Sequence, residues 1–307
     1  MSNGPIDIVV PWVNPGDNEW KKSFEYWKKR ETGIRPDCRY RDFGIFNYCI
    51  QSALENCPWA NSIIVVLASP SQKPQWLDEM VAANPKLRIV YHSEYIPKQF
   101  LPTFNSNVIE MFYMMIPNLS TNFLVINDDM FFTSPTEETD FFVDDKPVDN
   151  REYIRDERWR GYGYFDCNMR NNRHFIRKFL HCNQFIKDPH LAIAHRKDVW
   201  LDVWKTFLPY FIKAMKASKF RHQNNVTHWL FRWIYLLSGN YVQRNINEYE
   251  KYIILRDGQN FNEIKNAMYS TKVLCINDQE CLTYDFNRVK KHLQTILAER
   301  FNTNEKV

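Results

Sequence analysis

Short apolar runs alternate with amphipathic stretches along the first half of the chain. Runs with the length and composition of strands occupy 6–10, 62–68, 87–91 and 122–126. Between them, apolar residues recur at helical spacing, for example in 75–84 and in a segment that begins near Asn107. This alternation predicts a Rossmann-like α/β fold, in which helices flank both faces of a mostly parallel sheet.

The second half of the chain has a less regular pattern. Residues 150–175 are aromatic, rich in Arg and without a clear period. Helical spacing returns at 198–211, 223–239 and 287–301. In the second of these segments, an apolar stripe stands opposite a polar stripe of Asn225, His228 and Arg232. We interpret residues 1–145 as the α/β half and residues 146–307 as a helical cap of the same catalytic unit.

Composition and charge narrow the class of protein. With 307 residues, 44% of them hydrophobic and 16% aromatic, the chain can bury a sizeable core. A formal charge of +4 without a concentrated basic run suits an anionic substrate and argues against nucleic acid. The 7 cysteines form no CxxC pair, which is typical of a reducing compartment. Without a signal-peptide pattern or an apolar run of bilayer length, the sequence predicts a cytoplasmic protein.

Two adjacent acids interrupt the apolar run FLVINDDMFF at 123–132. Asp128 and Asp129 follow the fourth predicted strand, and ligands of parallel sheets bind at the carboxyl ends of strands. Paired carboxylates there can hold Mg²⁺ or Mn²⁺ on a diphosphate, although a plain turn at a strand end fits the same residues. Asn277 and Asp278 repeat the Asn-Asp pair after another apolar run, which indicates a shared metal site as one interpretation.

The stretch LPTFNSNVIE at 101–110 carries candidate phosphate ligands. Asn107 and Glu110 have the spacing of a helix capping box. Before that helix, side chains that could join backbone N–H groups in binding a phosphate are Thr103, Asn105 and Ser106. On spacing alone, a purely structural, well-capped helix is the stronger interpretation.

Arginine and histidine supply the other candidates. In RYRD, Arg39 and Arg41 would point the same way along an extended chain and could grip phosphate. A solvated loop in which Asp42 caps the next helix explains this segment equally well. His190 could take a proton from a hydroxyl nucleophile, and Arg221 could neutralise charge on a transferring phosphoryl group. Together, the residues predict a metal-assisted α/β enzyme with a phosphorylated or nucleotide-linked substrate.

Four blocks in the same order resemble the Stealth family of sugar-1-phosphate transferases. This family includes bacterial capsule and cell-wall polysaccharide phosphotransferases and the animal N-acetylglucosamine-1-phosphotransferase. The blocks are IDIVVPWVNPGD at 6–17, RYRD through NDDMF within 39–132, PHLAIAHR through WIYLLSG within 189–239, and VLCIND at 273–278. The combination of LPTFNS with a later NDDMF is the most specific part of the resemblance.

Two departures from the family pattern concern acidic positions. Pro11 stands where Thr is usual, and Asn14 replaces a frequent Asp, so the acid of the first block is Asp17. Asn224 and Asn225 stand where many members carry an acid after the Arg of the third block. The resemblance therefore assigns no role to an acid at that place in this chain.

The resemblance implies a GT-A-like fold in which residues 1–145 bind a nucleotide sugar and a helical C-terminal cap completes the site. The implied reaction transfers a hexose or N-acetylhexosamine 1-phosphate from a UDP-sugar to a saccharide hydroxyl, which forms a phosphodiester and releases UMP. Mg²⁺ or Mn²⁺ would be held by Asp128 and Asp129, with Asp278 as a further ligand. His190 would act as the base and Arg221 as the phosphoryl ligand. The implied substrate-binding residues are Trp12, Asn14, Asp17, Arg39, Arg41, Asp42, Thr103, Asn105, Ser106 and His222.

Other functions fit many of the same residues. A conventional metal-dependent glycosyltransferase would attack the sugar carbon and release UDP, and a non-catalytic carbohydrate-binding protein would show no turnover. The segment 205–221 mixes Lys with apolar residues. It could rest on an anionic membrane where lipid-linked acceptors reside, or it could be a solvated helix beside the active site.

Overall fold

The computed structural model describes residues 3–33, 39–154, 163–215, 219–278 and 282–301. The α-helices are α1 (Asn18–Lys28), α2 (Phe46–Asn56), α3 (Gln75–Ala83), α4 (His92–Tyr95), α5 (Ser106–Met111), α6 (Tyr164–Leu180), α7 (Lys197–Met215), α8 (Trp229–Ser238), α9 (Phe261–Ser270) and α10 (Phe286–Phe301). The strands are β1 (Ile6–Pro11), β2 (Ser62–Leu67), β3 (Leu87–Tyr91), β4 (Asn122–Val125), β5 (Met130–Phe132), β6 (Phe142–Val143), β7 (Lys146–Asp149), β8 (Tyr153–Ile154), β9 (Phe185–Ile186), β10 (Ile193–Arg196), β11 (Val242–Gln243), β12 (Glu250–Leu255) and β13 (Val273–Asp278). Within the described ranges, no helix combines the length and the apolar character needed to cross a membrane.

A five-stranded sheet in the order β10-β4-β1-β2-β3 forms the centre of the protein. β1 pairs in parallel with β2 and β4, and β2 pairs in parallel with β3. Only β10 runs antiparallel, at the edge beside β4. The predicted Rossmann-like, mostly parallel sheet flanked by helices is therefore confirmed. The second half of the chain contributes β10, so it supplies part of this sheet as well as helices.

Apolar side chains cover both faces of the central sheet. On one face, Val9 and Ile64 pack with apolar residues of α5, α7 and α8. On the other, Ile8 and Val65 pack with those of α2 and α10. Because strands buried on both faces have no solvent side, their sequences are continuous apolar runs, which is why they could be found without an alternating pattern.

A short linker carries the chain from the central sheet into a second sheet. This three-stranded sheet has the order β12-β13-β5, with β5 antiparallel and β12 parallel to β13. Residues 126–129 lie between the end of β4 in one sheet and the start of β5 in the other. The pairing of β4 with β1 and of β5 with β13 therefore fixes the linker at both ends. The second pairing also brings the carboxyl-terminal part of β13 close to the linker.

Two helix starts differ from the sequence predictions. α5 has Asn105 as its N-cap, whose side chain accepts a hydrogen bond from the N–H of Asn107. The predicted capping box of Asn107 and Glu110 is therefore wrong. Asp42 does not cap α2, because its carboxylate accepts instead from the N–H of Gly44 (2.8 Å) within the preceding turn. In both cases, a polar residue two positions before an N–H group accepts from it, within the turn that leads into the helix.

The second half differs from its predicted pattern in two respects. α6 occupies much of the stretch that was predicted to be irregular, although residues 155–162 lie outside the described residues. α8 begins at Trp229, later than predicted, so two of the three residues of the predicted polar stripe precede the helix. All three are buried. Asn225, His228 and Arg232 are only 1%, 7% and 1% exposed. Periodicity shows which side of a helix is apolar, but it does not show whether hydrogen-bond partners allow the polar side to be buried as well.

Replacing Ile64 with Ala tests the packing of the central sheet. The side chain is fully buried in β2, so its loss leaves a cavity between strand and helices. We expect the free energy of unfolding to fall by about 2–5 kcal/mol, measured by urea denaturation. Ile64→Val is the matched control and should cost only about 0.5–1.5 kcal/mol. Equal losses for the two variants would contradict close packing at this position.

Candidate active site

A cavity of about 960 Å³ opens at the carboxyl ends of β1 and β4 and beside the end of β13. This is the edge at which parallel sheets bind their ligands. The predicted site residues that line the cavity are Trp12, Arg39, Arg41, Asp42, Thr103, Ser106, Asp128, Asp129, His190, Arg221 and Asp278. Those outside its lining are Asn14, Asp17, Asn105 and His222. The fold thus gathers residues from distant parts of the chain around one space.

Asp128 and Asp129 occupy the linker between β4 and β5 and are partly exposed to the cavity. Asp129 accepts hydrogen bonds from Nδ2 of Asn277 (3.0 Å) and from Sγ of Cys275 (3.6 Å), both on β13. Enclosure by the protein raises the pKa of both carboxyls, and the neighbouring acid raises that of Asp128 further. A cation bound here would offset both the desolvation and the mutual repulsion of the two acids.

His190 lies next to these acids, and hydrogen bonds define its orientation. Its Nε2 is 2.9 Å from Nδ2 of Asn277, which can only donate, so the neutral ring carries its proton on Nδ1. The preceding segment is anchored at Asp188, which accepts from Nη1 of Arg232 (3.1 Å) and Nε1 of Trp233 (2.9 Å). The hydrogen bonds of α8 therefore help to place His190 at the cavity wall.

The described residues contain one group with the spacing of a metal site. Ligand atoms of Asp129, His190 and Cys275 lie within 4.8 Å of one another. Burial raises the pKa of the Cys275 thiol, so this group keeps its proton and is a poor ligand. Mg²⁺ and Mn²⁺ prefer carboxylate oxygens, and the adjacent acids Asp128 and Asp129 offer these at the cavity. The residues present therefore fit a hard divalent ion best at the acidic pair.

Asp278 is held by Arg41 in the structure. Nη2 of Arg41 donates to Oδ1 of Asp278 at 2.6 Å, and Nε donates to Oδ2. Arg41 also donates to the carbonyl oxygen of Leu282 at 2.7 Å. Both oxygens of the acid are thus engaged. The predicted metal ligand Asp278 and the predicted phosphate ligand Arg41 therefore form a bidentate ion pair with each other at the wall of the cavity.

Arg221 and Ser106 face the cavity together, and Glu110 joins them. Nη2 of Arg221 donates to Oγ of Ser106 at 2.5 Å. Burial raises the pKa of Glu110 to about 7, although the charges of Arg221 and Arg39 and a hydrogen bond from Ser106 oppose the rise. Glu110 was missed as a site residue because the capping box had given it a structural role. Its place in the LPTFNSNVIE block was the signal that could have found it.

Buried amides connect α5 to the segment that carries Arg221. Nδ2 of Asn105 donates to the carbonyl oxygen of Phe220 and to Oδ1 of Asn225, both at 2.9 Å. Oδ1 of Asn225 also accepts from the N–H of His222 at 2.8 Å. Asn105 is fully buried and Asn225 almost so. These side chains therefore hold the backbone beside Arg221 in place and do not contact the cavity.

The remaining predicted residues have structural contacts near the rim. Trp12 is 8% exposed and stacks on Phe46, with ring centroids 4.9 Å apart. The N–H of Asn14 donates to Oε1 of Gln72 (2.8 Å), and Nε2 of Gln72 donates to the carboxylate of Asp17 (2.9 Å). Thr103 is buried, and its Oγ1 accepts a backbone N–H at 3.2 Å. In this conformation, these groups shape the loops around the cavity.

Comparisons with known proteins decide the family. The model described as "Stealth protein CR2, conserved region 2" matches residues 39–149. The capsular polysaccharide phosphotransferase WcwK of Streptococcus pneumoniae is 31% identical to this chain, over 96% of each. The chain belongs to the Stealth family. The receptor polysaccharide phosphotransferase WefC of Streptococcus gordonii is 32% identical, over 89% of this chain and 90% of its own.

The Stealth match fits the geometry of the cavity. The matched region includes Arg39, Ser106, Glu110 and the acidic pair, whereas Arg221 comes from the second half. Because its relatives in this family are phosphotransferases, the protein is a transferase.

Among solved structures, the galactosyltransferase LgtC in complex with donor and acceptor sugar analogues aligns with 94% of this chain and 95% of its own, at 10% identity and a TM-score of 0.42.

Asp129→Asn tests whether the acidic pair binds a metal ion. We expect the affinity for Mn²⁺ to fall by roughly 10–100-fold or more, measured by titration with detection of free Mn²⁺. In the unsubstituted protein, affinity should rise from about pH 5.5 to about pH 8, because protons compete with the metal for carboxyls of raised pKa. Asp202→Asn, on the exposed surface of α7, is the matched control. Equal Mn²⁺ affinities in the two variants would argue against the acidic pair.

Proposed function

We propose that the protein transfers a sugar 1-phosphate from a UDP-sugar to a hydroxyl of a saccharide acceptor, in the synthesis of a capsular, exo- or cell-wall polysaccharide. A phosphodiester forms and UMP leaves. The observation that carries the proposal is the meeting of two adjacent acids, three arginines, Glu110 and His190 in one cavity of a Stealth protein. Its relatives are polysaccharide phosphotransferases, which supports a saccharide as the acceptor.

Asp128 and Asp129 would hold the divalent ion. When bound, Mg²⁺ or Mn²⁺ would neutralise negative charge on the diphosphate of the donor. Asp278 accepts from Arg41 through both of its carboxylate oxygens. We therefore keep Asp278 in the proposal as the residue that orients Arg41 at the wall of the cavity.

Arg221 and Ser106 would bind the oxygens of the transferring phosphoryl group. In the reaction, the acceptor oxygen forms a bond to the β-phosphorus while the bond from that phosphorus to the bridging oxygen breaks. The bridging oxygen leaves as part of UMP. Arg221 favours this step because its charge is fixed where negative charge is spread over the phosphoryl oxygens, and little covalent help is needed beyond such positioning.

Glu110 would take the proton of the acceptor hydroxyl. A base works best when its pKa is close to the working pH, and burial places that of Glu110 at about 7. His190, the base predicted from the sequence, accepts a hydrogen bond from Asn277 through the nitrogen that would have to receive the proton. His190 could therefore act as the base only if Asn277 turned away, and otherwise it lines the cavity beside the acidic pair.

The identity of the released nucleotide tests this function. The purified protein is incubated with Mn²⁺, a UDP-hexose or UDP-N-acetylhexosamine and a saccharide acceptor. We expect UMP and a phosphodiester signal in the phosphorus spectrum. Arg221→Ala should lower the rate of UMP release by roughly 10²–10³-fold, whereas Asp202→Asn should leave it unchanged. Release of UDP would instead indicate attack at the sugar carbon, and saccharide binding without turnover would indicate a carbohydrate-binding protein.

The acceptor in this proposal is lipid-linked, and α7 would contact the membrane. Leu208 is 46% exposed on this helix, with exposed lysines at 205 and 213. Apolar residues flanked by Lys suit the surface of an anionic bilayer. Residues 216–218 of the predicted segment 205–221 lie outside the described residues.

Flotation with liposomes tests the membrane contact. The protein should float with vesicles that contain anionic lipid and remain below with neutral vesicles. Leu208→Asp should reduce flotation, because it places a negative charge at the proposed contact. Leu180→Asp, on the exposed side of α6, is the matched control and should leave flotation unchanged. If the two variants float to the same extent as the original protein, this surface does not bind membrane.

A further inference from the structure

A chain of buried polar side chains extends from the cavity to the edge of the central sheet. Oε2 of Glu110 is 3.8 Å from Nε2 of His228, and Nδ1 of His228 is 3.2 Å from Nε2 of His195. Nδ1 of His195 is 3.4 Å from the hydroxyl of Tyr235. The two histidines are buried, on β10 and just before α8. Neither was assigned a role in the sequence analysis.

The surroundings hold both imidazoles in the neutral form. His195 stacks on Trp200, with centroids 4.8 Å apart and planes at 9°, so the orientation of its ring is fixed. Burial lowers the pKa of His228 to about 3 and that of His195 well below its ordinary value. A neutral imidazole has one donor nitrogen and one acceptor nitrogen. The tautomer of one ring therefore determines the tautomer of the other.

Only two arrangements of protons satisfy the whole chain. In the first, the hydroxyl of Tyr235 donates to His195, which donates through Nε2 to His228. His228 then points an Nε2–H group at Glu110, which suits an ionised carboxylate. In the second, all directions are reversed, so that Nε2 of His228 turns a lone pair towards Glu110 at 3.8 Å, an electrostatic contact that favours the protonated carboxyl. The N–H of Arg196 donates to the hydroxyl of Tyr235 (2.9 Å) and is compatible with both.

We infer that His228, backed by His195 and Tyr235, is a positioning residue that presents an N–H donor to Glu110 when Glu110 is ionised and changes its tautomer when Glu110 is protonated. The inference rests on the proposed function only where it assigns Glu110 the role of base. The donor would orient the carboxylate and favour its ionised, base-competent form. Neither His195 nor His228 needs to become charged for this change of tautomer.

Other charged and titratable groups lie close to Glu110, His228 and His195. Those that face Glu110 are Arg39, Arg221, Tyr95 and Tyr113, and those that face the two histidines are His190 and Arg232. The two arginines near Glu110 also favour its ionised form. A test must therefore separate the effect of His228 from theirs, and variants at His228 do so because they leave both arginines in place.

Histidine NMR tests the inference directly on the unsubstituted protein. With ¹⁵N-labelled histidine, long-range ¹H–¹⁵N spectra distinguish the two tautomers from each other and from the charged ring. We expect His228 to remain neutral and to pass from the Nδ1–H to the Nε2–H tautomer between about pH 5.5 and about pH 8.5. His195 should follow it. In Glu110→Gln, neither tautomer should change with pH. A single tautomer of His228 throughout, or the same change in Glu110→Gln, would overturn the inference.

A matched pair of variants tests the consequence for catalysis. The amide nitrogen of Gln occupies the place of Nε2, and that of Asn the place of Nδ1, so only His228→Gln keeps a donor near Glu110. In His228→Asn, the acid limb of the pH profile of kcat/KM should move up by about one pH unit, because the ionised carboxylate loses a donor. In His228→Gln, the limb should stay near its original position. Equal displacement of the limb in both variants, or none in either, would contradict the inference.

The two experiments separate this inference from the proposed function. If the original protein released no UMP under any condition, the proposed function would fail, and the NMR result would still decide the coupling of His228 to Glu110. If UMP is released but the tautomers do not respond to Glu110, the function stands and the inference fails.

Discussion

Asp128 and Asp129 have to be held side by side in a largely desolvated place while the chain passes from one sheet into another. The pairing of β4 with β1 and that of β5 with β13 fix the two ends of the linker. Asn277 and Cys275 on β13 then donate hydrogen bonds to Asp129, one of the two acids. Because both carboxyls are costly to ionise where they are enclosed, a cation bound beside them would offset that cost.

The second half of the chain positions the active site through buried polar contacts. Arg232 on α8 is almost fully buried and pairs with Asp149 (2.7 Å) and Asp188 (3.1 Å), which anchors the segment leading to His190. Asn225 anchors the segment that carries Arg221, because its Oδ1 accepts from Nδ2 of Asn105 and from the N–H of His222. Such networks are strongly destabilised when one partner is lost, since the other is left buried without a hydrogen bond. The second half of the chain therefore fixes the geometry of residues that line the cavity.

Basic and acidic groups have separate tasks in this arrangement. Arg221 faces the cavity beside Ser106, where an anionic donor would meet it. Arg41 is instead neutralised by Asp278 and helps to form the wall. The same residue type thus lies beside a serine at the cavity in one place and forms a bidentate ion pair in the other.

The sequence by itself determined the parallel sheet, the position of the two adjacent acids after β4 and the family. Doubly buried strands are continuous apolar runs, and the acids that interrupt the run after β4 stand out against it. It could not show that Asn14, Asp17 and Asn105 bond to the protein, that Arg41 pairs with Asp278, or that Glu110 faces the cavity. Those outcomes depend on partners far away in the chain, such as Gln72 for Asn14 and Asn225 for Asn105. Only the tertiary structure decided them, because a polar side chain binds a ligand or stabilises the fold according to which partner is within hydrogen-bonding distance.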